Sequence, residues 1–203
     1  MNIACLLLAA GGSSRFGGRK QLACVGGKSM VQHTLEQLTP VFKQKLYTVI
    51  GAYRDEIRPV VNKYSYVIEH AGWEQGLGSS IAEGVNTITR HADYDGILIA
   101  LADQVMVSQN DYLTLLDTFD GTQIVASSYS GKNAVPALFP AQYFPELQEF
   151  NSDSGARALL ALHTNAVISV SLPQAETDID TKQDLTEFTA TASESGFLGE
   201  GSN

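Results

Sequence analysis

The strongest constraint on the fold is an uninterrupted apolar run near the start of the chain, at residues 3–10, which Gly11 and Gly12 end. A strand covered on both faces is continuously apolar, whereas a half-exposed strand alternates between apolar and polar residues. The run therefore predicts a central strand of a parallel sheet. The two glycines predict a sharp turn after it, because glycine adopts backbone conformations that other residues avoid.

Further strands are predicted from short apolar segments at residues 46–51, 66–69, 96–102, 123–127 and 166–170. Segments with helical spacing lie between them, and three helices are predicted to begin at serine caps: at Ser29, at Ser79 or Ser80, and at Ser108. The first should end near Pro40. This alternation predicts a Rossmann-like α/β domain with three layers, α/β/α, around a mostly parallel sheet.

One domain, residues 1–188, accounts for this pattern, because a chain of 203 residues can bury a core without disulfides or metal. Residues 130–165 break the rhythm with three of the six prolines and two short helical stretches. We interpret them as an insertion beside the sheet. Residues 189–203 are rich in Thr, Ala, Ser, Gly and Glu, which predicts a disordered tail.

The overall charge argues against two classes of partner. The formal net charge is −9, whereas a general binder of nucleic acid or acidic membranes needs a basic surface. We expect no nucleic-acid partner, no membrane association and a cytoplasmic location, because no secretory signal or membrane span is visible. Cys5 and Cys24 belong to no CxxC pair or metal-ligand pattern, so both are expected to be buried, reduced thiols.

The glycine-rich segment AAGGSSRFGGRK, at residues 9–20, predicts a phosphate-binding loop. Two common phosphate motifs do not fit it. The order of its glycines does not supply GxGxxG, and the GKS at residues 27–29 lacks the first glycine and the preceding strand of a GxxxxGK[ST] loop. What the segment offers is a set of donors for an anion: the amides of Gly11 and Gly12, the hydroxyls of Ser13 and Ser14, and the cations of Arg15 and Lys20. Composition alone leaves open a plain turn with solvated cations.

The pattern LAAGxSxRxGxxKxL resembles the opening signature of the nucleotidyltransferases that join a nucleoside triphosphate to a sugar phosphate, a polyol phosphate or molybdopterin. In that family the loop wraps the triphosphate. The resemblance also implies a fold of the nucleotide-diphospho-sugar transferase type. The resemblance implies nucleotide binding by Leu8, Ala9, Ala10, Gly11, Gly12, Ser13 and Ser14. It also implies that Arg15 and Lys20 are catalytic, neutralising charge at the reacting phosphate.

Two acidic segments predict a magnesium site. Asp103 follows an apolar strand directly, where the carboxyl edge of the sheet forms the usual ligand crevice, and Mg²⁺ takes one or two carboxylates beside water and phosphate oxygens. The LADQ around it resembles the family's LADQP or LADMP, whose Asp is a metal ligand. The later DIDTKQDL resembles DIDTPEDL and implies Asp180 as the second ligand, with support from Asp178. Asp184 is expected to be an exposed residue of the last helix's first turn.

Base recognition is predicted from WEQGLGSSIAEG, at residues 73–84, which resembles a family element that contacts the nucleotide base. The resemblance implies base contacts for Ser79, Ser80 and Gly84, and helix capping by either serine is the alternative. Trp73 is expected in the core or at its rim rather than stacked on a base.

The acceptor side is predicted from NSDSGAR, at residues 151–157, which resembles GDxGAR of the molybdopterin-directed branch. It implies that Asp153, Gly155 and Arg157 bind the acceptor. The insertion at residues 130–165 is therefore expected to form the acceptor side of the site. Over residues 2–188 the best fit is to molybdenum cofactor cytidylyltransferases. This implies Mg²⁺, CTP or GTP with CTP favoured, the phosphate of molybdopterin as acceptor, and transient contact with a molybdoenzyme or its chaperone.

The chain departs from the family pattern at four positions. Val105 and Lys182 replace prolines, and Ala134 and Val135 replace a Gly and a His of the molybdopterin-directed branch. These departures leave open two alternatives: a nucleotidyltransferase acting on a sugar or polyol phosphate, or a nucleotide-binding relative without catalysis.

Overall fold

The computed structural model describes residues 1–150, 155–177 and 179–194, and these residues contain nine strands and seven α-helices. The strands are β1 (Ile3–Ala9), β2 (Cys24–Val25), β3 (Lys28–Ser29), β4 (Leu46–Ile50), β5 (Tyr66–Glu69), β6 (Gly96–Leu101), β7 (Ile124–Tyr129), β8 (Lys132–Pro140) and β9 (Val167–Ser171). The helices are α1 (Met30–Phe42), α2 (Arg54–Val61), α3 (Leu77–His91), α4 (Gln109–Thr118), α5 (Phe144–Gln148), α6 (Ala156–Leu162) and α7 (Lys182–Glu194).

Seven of these strands form one sheet in the order β5-β4-β1-β6-β8-β7-β9, and β2 and β3 form a separate hairpin. β1 is parallel to β4 and β6 on either side of it, whereas β8 is antiparallel to both of its neighbours. Helices cover both faces of the sheet. The predicted three-layer architecture with a mostly parallel sheet is confirmed.

The apolar run in β1 is continuous because the strand divides two cores. Leu6 and Leu8 pack on one side with residues of α3, α5 and α6, and Cys5 and Leu7 pack on the other with residues of α1, α2 and α4. All four side chains are buried. Since successive residues of a strand point to opposite faces, a polar residue anywhere in β1 would be placed in one of these cores.

The main error of the sequence interpretation is β8, which lies inside the segment taken as an insertion. Lys132–Pro140 pairs with β6 on one side and β7 on the other. A proline usually argues against a central strand because it has no amide hydrogen to donate. Here the register of β7 and β8 shifts between Ala126 and Ser127, whose partners are Ala137 and Ala134. Pro136 lies in that interruption of the ladder.

Several local predictions also change. α2 was not predicted, and α1 continues past Pro40 to Phe42, which is buried. The N-cap of α3 is Gly76, so neither serine at 79 and 80 caps it. The Ser108 cap of α4 is confirmed.

The expected burial of Cys24 is wrong, and so is the expected disorder of residues 189–194. Cys24 is exposed rather than buried, because the alternation of β2 turns Val25 inward instead. The tail predicted to be disordered from residue 189 is helical as far as Glu194, and residues 195–203 lie outside the described residues. The Thr189 and Thr191 hydroxyls donate to carbonyl oxygens one turn earlier.

No helix of the described residues is long and apolar enough to cross a membrane.

Gly84 of α3 allows the helix to approach β1 closely. A Cβ at this position would lie 2.5 Å from both δ-carbons of Leu6, and Leu6 is completely buried. We therefore expect Gly84→Ala to lower the free energy of unfolding by about 1–3 kcal/mol, the usual range for overpacking a core. Chemical denaturation measures the change.

The control is Glu83→Ala, next to Gly84 in the same helix, which should change the free energy of unfolding by about 0.5 kcal/mol or less. Equal stability of the two variants would contradict the proposed close contact between α3 and β1.

Candidate active site

A cavity of about 330 Å³ lies at the carboxyl edge of β1 and β6. Its walls come from the end of each strand, the loop after β1, the start of α3, and the residue that precedes Thr181 and α7. Among the residues predicted from the sequence, it is lined by Leu8, Ala9, Ala10, Gly11, Ser13, Ser14, Arg15, Lys20, Asp103 and Asp180. The structure therefore brings together most of the predicted phosphate loop, both predicted catalytic cations and both predicted metal ligands.

Four charged side chains interact directly in this cavity. The Lys20 Nζ lies 2.7 Å from Asp103 Oδ2 and 2.8 Å from Asp180 Oδ1. Arg15 contributes a second cation, with its Nη1 2.8 Å from Asp180 Oδ2. Two carboxylates on separate parts of the chain thus share one ammonium group, and the four formal charges balance.

Lys20 is the most enclosed of the four, with 10% of its side chain exposed, compared with 76% for Arg15. Burial by itself lowers the pKa of a lysine, but the adjacent Asp103 and Asp180 carboxylates outweigh it and raise the Lys20 pKa above its ordinary value. Lys20 is therefore a fixed positive charge at neutral pH. The exposed Arg15 side chain is suited to contact a ligand that enters from solvent.

Asp103 also has free acceptor capacity. Asp103 Oδ1 is buried and has no hydrogen-bond partner among the described residues. A buried oxygen without a partner is costly unless a ligand satisfies it, and a hard cation such as Mg²⁺ prefers carboxylate oxygens. The described residues contain no group of three or more His, Cys, Asp or Glu side chains that could hold a metal. The donor set thus fits a metal held by two carboxylates, with its remaining positions left to water and phosphate.

The loop between β1 and Lys20 is shaped to receive an anion. It closes on itself through amides that donate from Phe16 and Gly18 to the Ser13 carbonyl oxygen, at 3.1 and 3.0 Å, and Ser13 adopts a left-handed conformation. The amides at residues 11–14 find no acceptor among the described residues. Backbone amides left free in such a turn form an anion-binding concavity.

Sequence reasoning missed two buried amide side chains that shape the site. Gln21 donates to the carbonyl oxygens of Ala9 and Gly11, at 3.1 and 2.7 Å, and so fixes the start of the loop. Gln104 donates to the carbonyl oxygens of Val135 and Ala175, at 2.8 and 3.2 Å, and ties the Asp103 segment to β8. Neither role has a local signal, since each depends on a backbone position that only the fold brings near.

Some predicted nucleotide contacts lie elsewhere. Ser80 is buried and Gly84 packs on Leu6, so both support the packing of α3 rather than line the cavity. The Ser79 hydroxyl bonds to the Gly76 carbonyl oxygen and to His70. These residues carry the right pattern for a helix start, but that pattern does not reveal which side of the helix faces the site.

Gly12 and Trp73 line a separate, shallow cavity of about 450 Å³ on the other side of the loop. The ring of Trp73 packs so closely over Gly12 that a Cβ there would lie 2.9 Å from it. The expectation that Trp73 lies at the rim of the core is met, because it is partly buried and packed on the α3 side of the sheet.

One of the predicted acceptor residues, Arg157, lies beside the main cavity. A neighbouring cavity of about 350 Å³ shares Arg15, Asp103 and Asp180 with it and adds Arg157 from α6. Arg157 also lines another cavity, of about 720 Å³, next to the turn between β7 and β8. Gly155 precedes α6, while Asp153 and Asp178 lie outside the described residues.

Comparison with known proteins identifies the family. The model of the MobA-like NTP transferase domain matches residues 5–167, which is most of the chain and includes the loop, Lys20 and Asp103. The chain belongs to this family. Asp180 lies beyond the matched segment, so its place in the site rests on the geometry above.

Three relatives show how far the family likeness extends. GlmU, a bifunctional protein of Mycobacterium leprae, is 28% identical over 128 residues, 59% of this chain and 26% of GlmU. The chain thus spans about a quarter of the length of that curated relative. Rv0371c of Mycobacterium tuberculosis superposes with a TM-score of 0.78 at 22% identity, over 94% of this chain and 98% of Rv0371c, and a structure of Rv0371c also exists in complex with manganese.

The third relative is a nucleotidyl transferase from Methanothermobacter, with a TM-score of 0.79 at 20% identity, over 96% of this chain and 99% of its own. At these identities the structural likeness establishes the fold alone. That fold is the nucleotide-diphospho-sugar transferase type, as predicted.

Lys20→Met tests the charge balance of the site. The substitution leaves two carboxylates beside each other without their shared cation, so we expect it to lower the free energy of unfolding at pH 7 by about 1–3 kcal/mol, between the values for exposed and buried pairs. Because the pKa of Lys20 is raised, its contribution should stay complete below the ordinary lysine pKa of about 10.4 and be lost only as pH rises through the folded value.

Lys28→Met is the matched control, because the Lys28–Glu36 pair is on the surface and should contribute about 1 kcal/mol or less. Urea unfolding of both variants at neutral and alkaline pH gives the comparison. A Lys20→Met protein as stable as the Lys28→Met protein at pH 7 would refute this interpretation of the cluster.

Proposed function

We propose that the protein transfers a nucleoside monophosphate from a nucleoside triphosphate to an acceptor phosphate and releases pyrophosphate. The observation that carries the proposal is the cluster of Lys20, Arg15, Asp103 and Asp180 facing a loop with free backbone amides. Membership of the MobA-like NTP transferase family supports it. In this proposal the loop binds the triphosphate, and the residues of the cluster act at the phosphates that react.

The chemistry requires positioning and charge stabilisation more than proton transfer. An oxygen of the acceptor phosphate forms a bond to the α-phosphorus, the bond from the α-phosphorus to the bridging oxygen breaks, and pyrophosphate leaves with that electron pair. The nucleophile is already an anion, so no general base is needed. Arg15 and Lys20 supply positive charge where negative charge develops.

Asp103 and Asp180 are the residues that would hold a divalent metal in this proposal. Bound there, Mg²⁺ would neutralise triphosphate charge and polarise phosphate oxygens. The partnerless Oδ1 of Asp103 favours this assignment. The manganese in the Rv0371c structure supports a divalent ion in the family and leaves the choice between Mg²⁺ and Mn²⁺ to experiment.

The acceptor we propose is the terminal phosphate of molybdopterin, bound in the cavity that Arg157 shares with Asp103 and Asp180. CTP is the favoured donor, with GTP as the alternative, because the loop begins with LAAG and the later acidic segment is DIDT. In this proposal the enzyme works in the cytoplasm and passes its product to a molybdoenzyme or its chaperone.

A sugar or polyol phosphate is the second candidate acceptor, and a specific observation favours keeping it. Ala134 and Val135 depart from the molybdopterin-directed branch, and both line the acceptor-side cavities, Val135 beside Asp103 and Ala134 beside the β7–β8 turn. These two departures therefore fall where the acceptor would be recognised rather than where the triphosphate would bind.

Pyrophosphate release tests the reaction. With Mg²⁺, CTP or GTP, and molybdopterin, the protein should release pyrophosphate, and Asp103→Ala should reduce the rate by at least about 100-fold, as for the loss of a group that stabilises transition-state charge. Asp120→Ala, in an exposed turn before β7, is the control and should retain full activity.

Release no faster than from the Asp103→Ala protein, with every acceptor in a panel of molybdopterin, sugar phosphates and polyol phosphates, would refute the proposed reaction. Triphosphate binding without release would then identify a relative that binds nucleotide and does not catalyse. Release with a sugar or polyol phosphate alone would replace molybdopterin as the acceptor.

A further inference from the structure

Asp184 lies in the first turn of α7, where the sequence predicts an exposed residue whose charge suits the helix dipole. The structure gives it a more specific environment. It is partly buried, and its Oδ2 accepts hydrogen bonds from the amides of Thr181 and Asp180, at 2.8 and 3.0 Å. In return, the Asp184 amide donates to the Thr181 hydroxyl at 3.1 Å. Thr181 and Asp184 therefore form a reciprocal capping box at the start of α7.

The bond to the Asp180 amide is additional to the capping box. A capping box needs only the side chain at the N-cap and the side chain three residues later, and here the same carboxylate oxygen reaches one residue further back, to the aspartate whose own side chain contacts Lys20 and Arg15. The hydrogen bonds with Thr181 and, to a smaller extent, the bond from the Asp180 amide keep the pKa of Asp184 below its ordinary value.

α4 offers a direct comparison within the same chain. Ser108 and Asp111 form the same kind of box, with the Asp111 Oδ2 accepting from the Ser108 amide at 2.8 Å. That aspartate has no bond to the residue before its cap among the described residues, and it lies outside the walls of the four cavities that contain predicted site residues. Both boxes cap their helices, and Asp111 also accepts a hydrogen bond from the Gln174 side chain at 2.5 Å. Of the two, the box of α7 is the one that contacts the main chain of a site residue.

Asp180 is held from two further sides. Ile179, just before it, is buried against Phe16 and Val25, with Leu185 of α7 packed on the same cluster. Its carboxylate is bound by the two cations. The hydrogen bond from the Asp180 amide to Asp184 adds a third attachment, and it is made at the backbone of Asp180 itself.

We infer that Asp184 is a positioning residue, which aims the Asp180 carboxylate into the site by fixing the Asp180 backbone. The inference rests on the proposed role of Asp180 as a metal ligand. Residues that orient metal ligands typically change metal affinity or activity by about 10–100-fold when they are removed. The two capping boxes allow this effect to be separated from helix stability.

The experiment compares Asp184→Ala, Asp184→Asn and Asp111→Ala in the full chain. Direct titration with Mn²⁺, followed by electron paramagnetic resonance, gives metal affinity without turnover, and the Mn²⁺ concentration for half-maximal pyrophosphate release gives the same property during turnover. Thermal unfolding gives Tm. Asp184→Ala should lose about 2–4 °C, since it loses a helix cap. Asp111→Ala should lose at least as much, because it loses a cap and the hydrogen bond from Gln174.

Asp184→Ala should weaken Mn²⁺ binding by about 10-fold or more, and Asp111→Ala should leave it within about 2-fold, as expected for a site that it does not touch. Asp184→Asn should retain affinity within about 3-fold, because its amide oxygen still accepts from both backbone amides. The inference is overturned if Asp184→Ala and Asp111→Ala weaken Mn²⁺ binding equally, or if the Asn variant falls as far as the Ala variant.

Asp180→Asn separates this inference from the proposed function. If it leaves Mn²⁺ binding unchanged, the metal site itself is wrong. If it weakens binding strongly while Asp184→Ala behaves like Asp111→Ala, the metal site stands and the positioning role of Asp184 is wrong.

Discussion

The site depends on one ammonium group, that of Lys20, which lies between the carboxylates of Asp103 and Asp180. Two carboxylates in a partly enclosed space repel each other unless a cation lies between them. Lys20 and Asp180 are 160 residues apart in the sequence, so their contact joins the loop after β1 to the segment before α7. Asp103 adds the end of β6. The geometry of the candidate site therefore depends on the fold bringing these three segments together around the Lys20 ammonium group.

The parts of the site that the sequence predicted are those with local signals. A continuous apolar run defines β1, and glycines, an arginine and a lysine at fixed spacing define the loop that follows. The parts that it did not predict depend on contacts between distant segments. β8 was not predicted because a proline argues against a central strand. The sequence around Pro136 does not show that it lies at an interruption of the β7–β8 ladder. The capping pattern of α3 could not tell that Ser80 and Gly84 face the sheet.

The two halves of the site have different origins in the fold. The half proposed for the triphosphate is built by consecutive residues after β1, and Gln21 fastens that loop to its own start. The half proposed for the acceptor is assembled from the β7–β8 turn, α6 and the segment after β9. Ala134 and Val135 lie in this second half. If the proposal holds, substitutions there would alter the choice of acceptor while the reacting centre stays the same, in keeping with the reuse of one fold for many functions.

A crystal structure with Mn²⁺ and a non-hydrolysable CTP analogue tests the central claim most directly. The account predicts an anomalous peak for Mn²⁺ within about 2.5 Å of oxygens from both Asp103 and Asp180, with the triphosphate against the amides of residues 11–14 and Lys20 in contact with it. Manganese bound away from these two carboxylates, or a triphosphate bound elsewhere on the sheet edge, would contradict it.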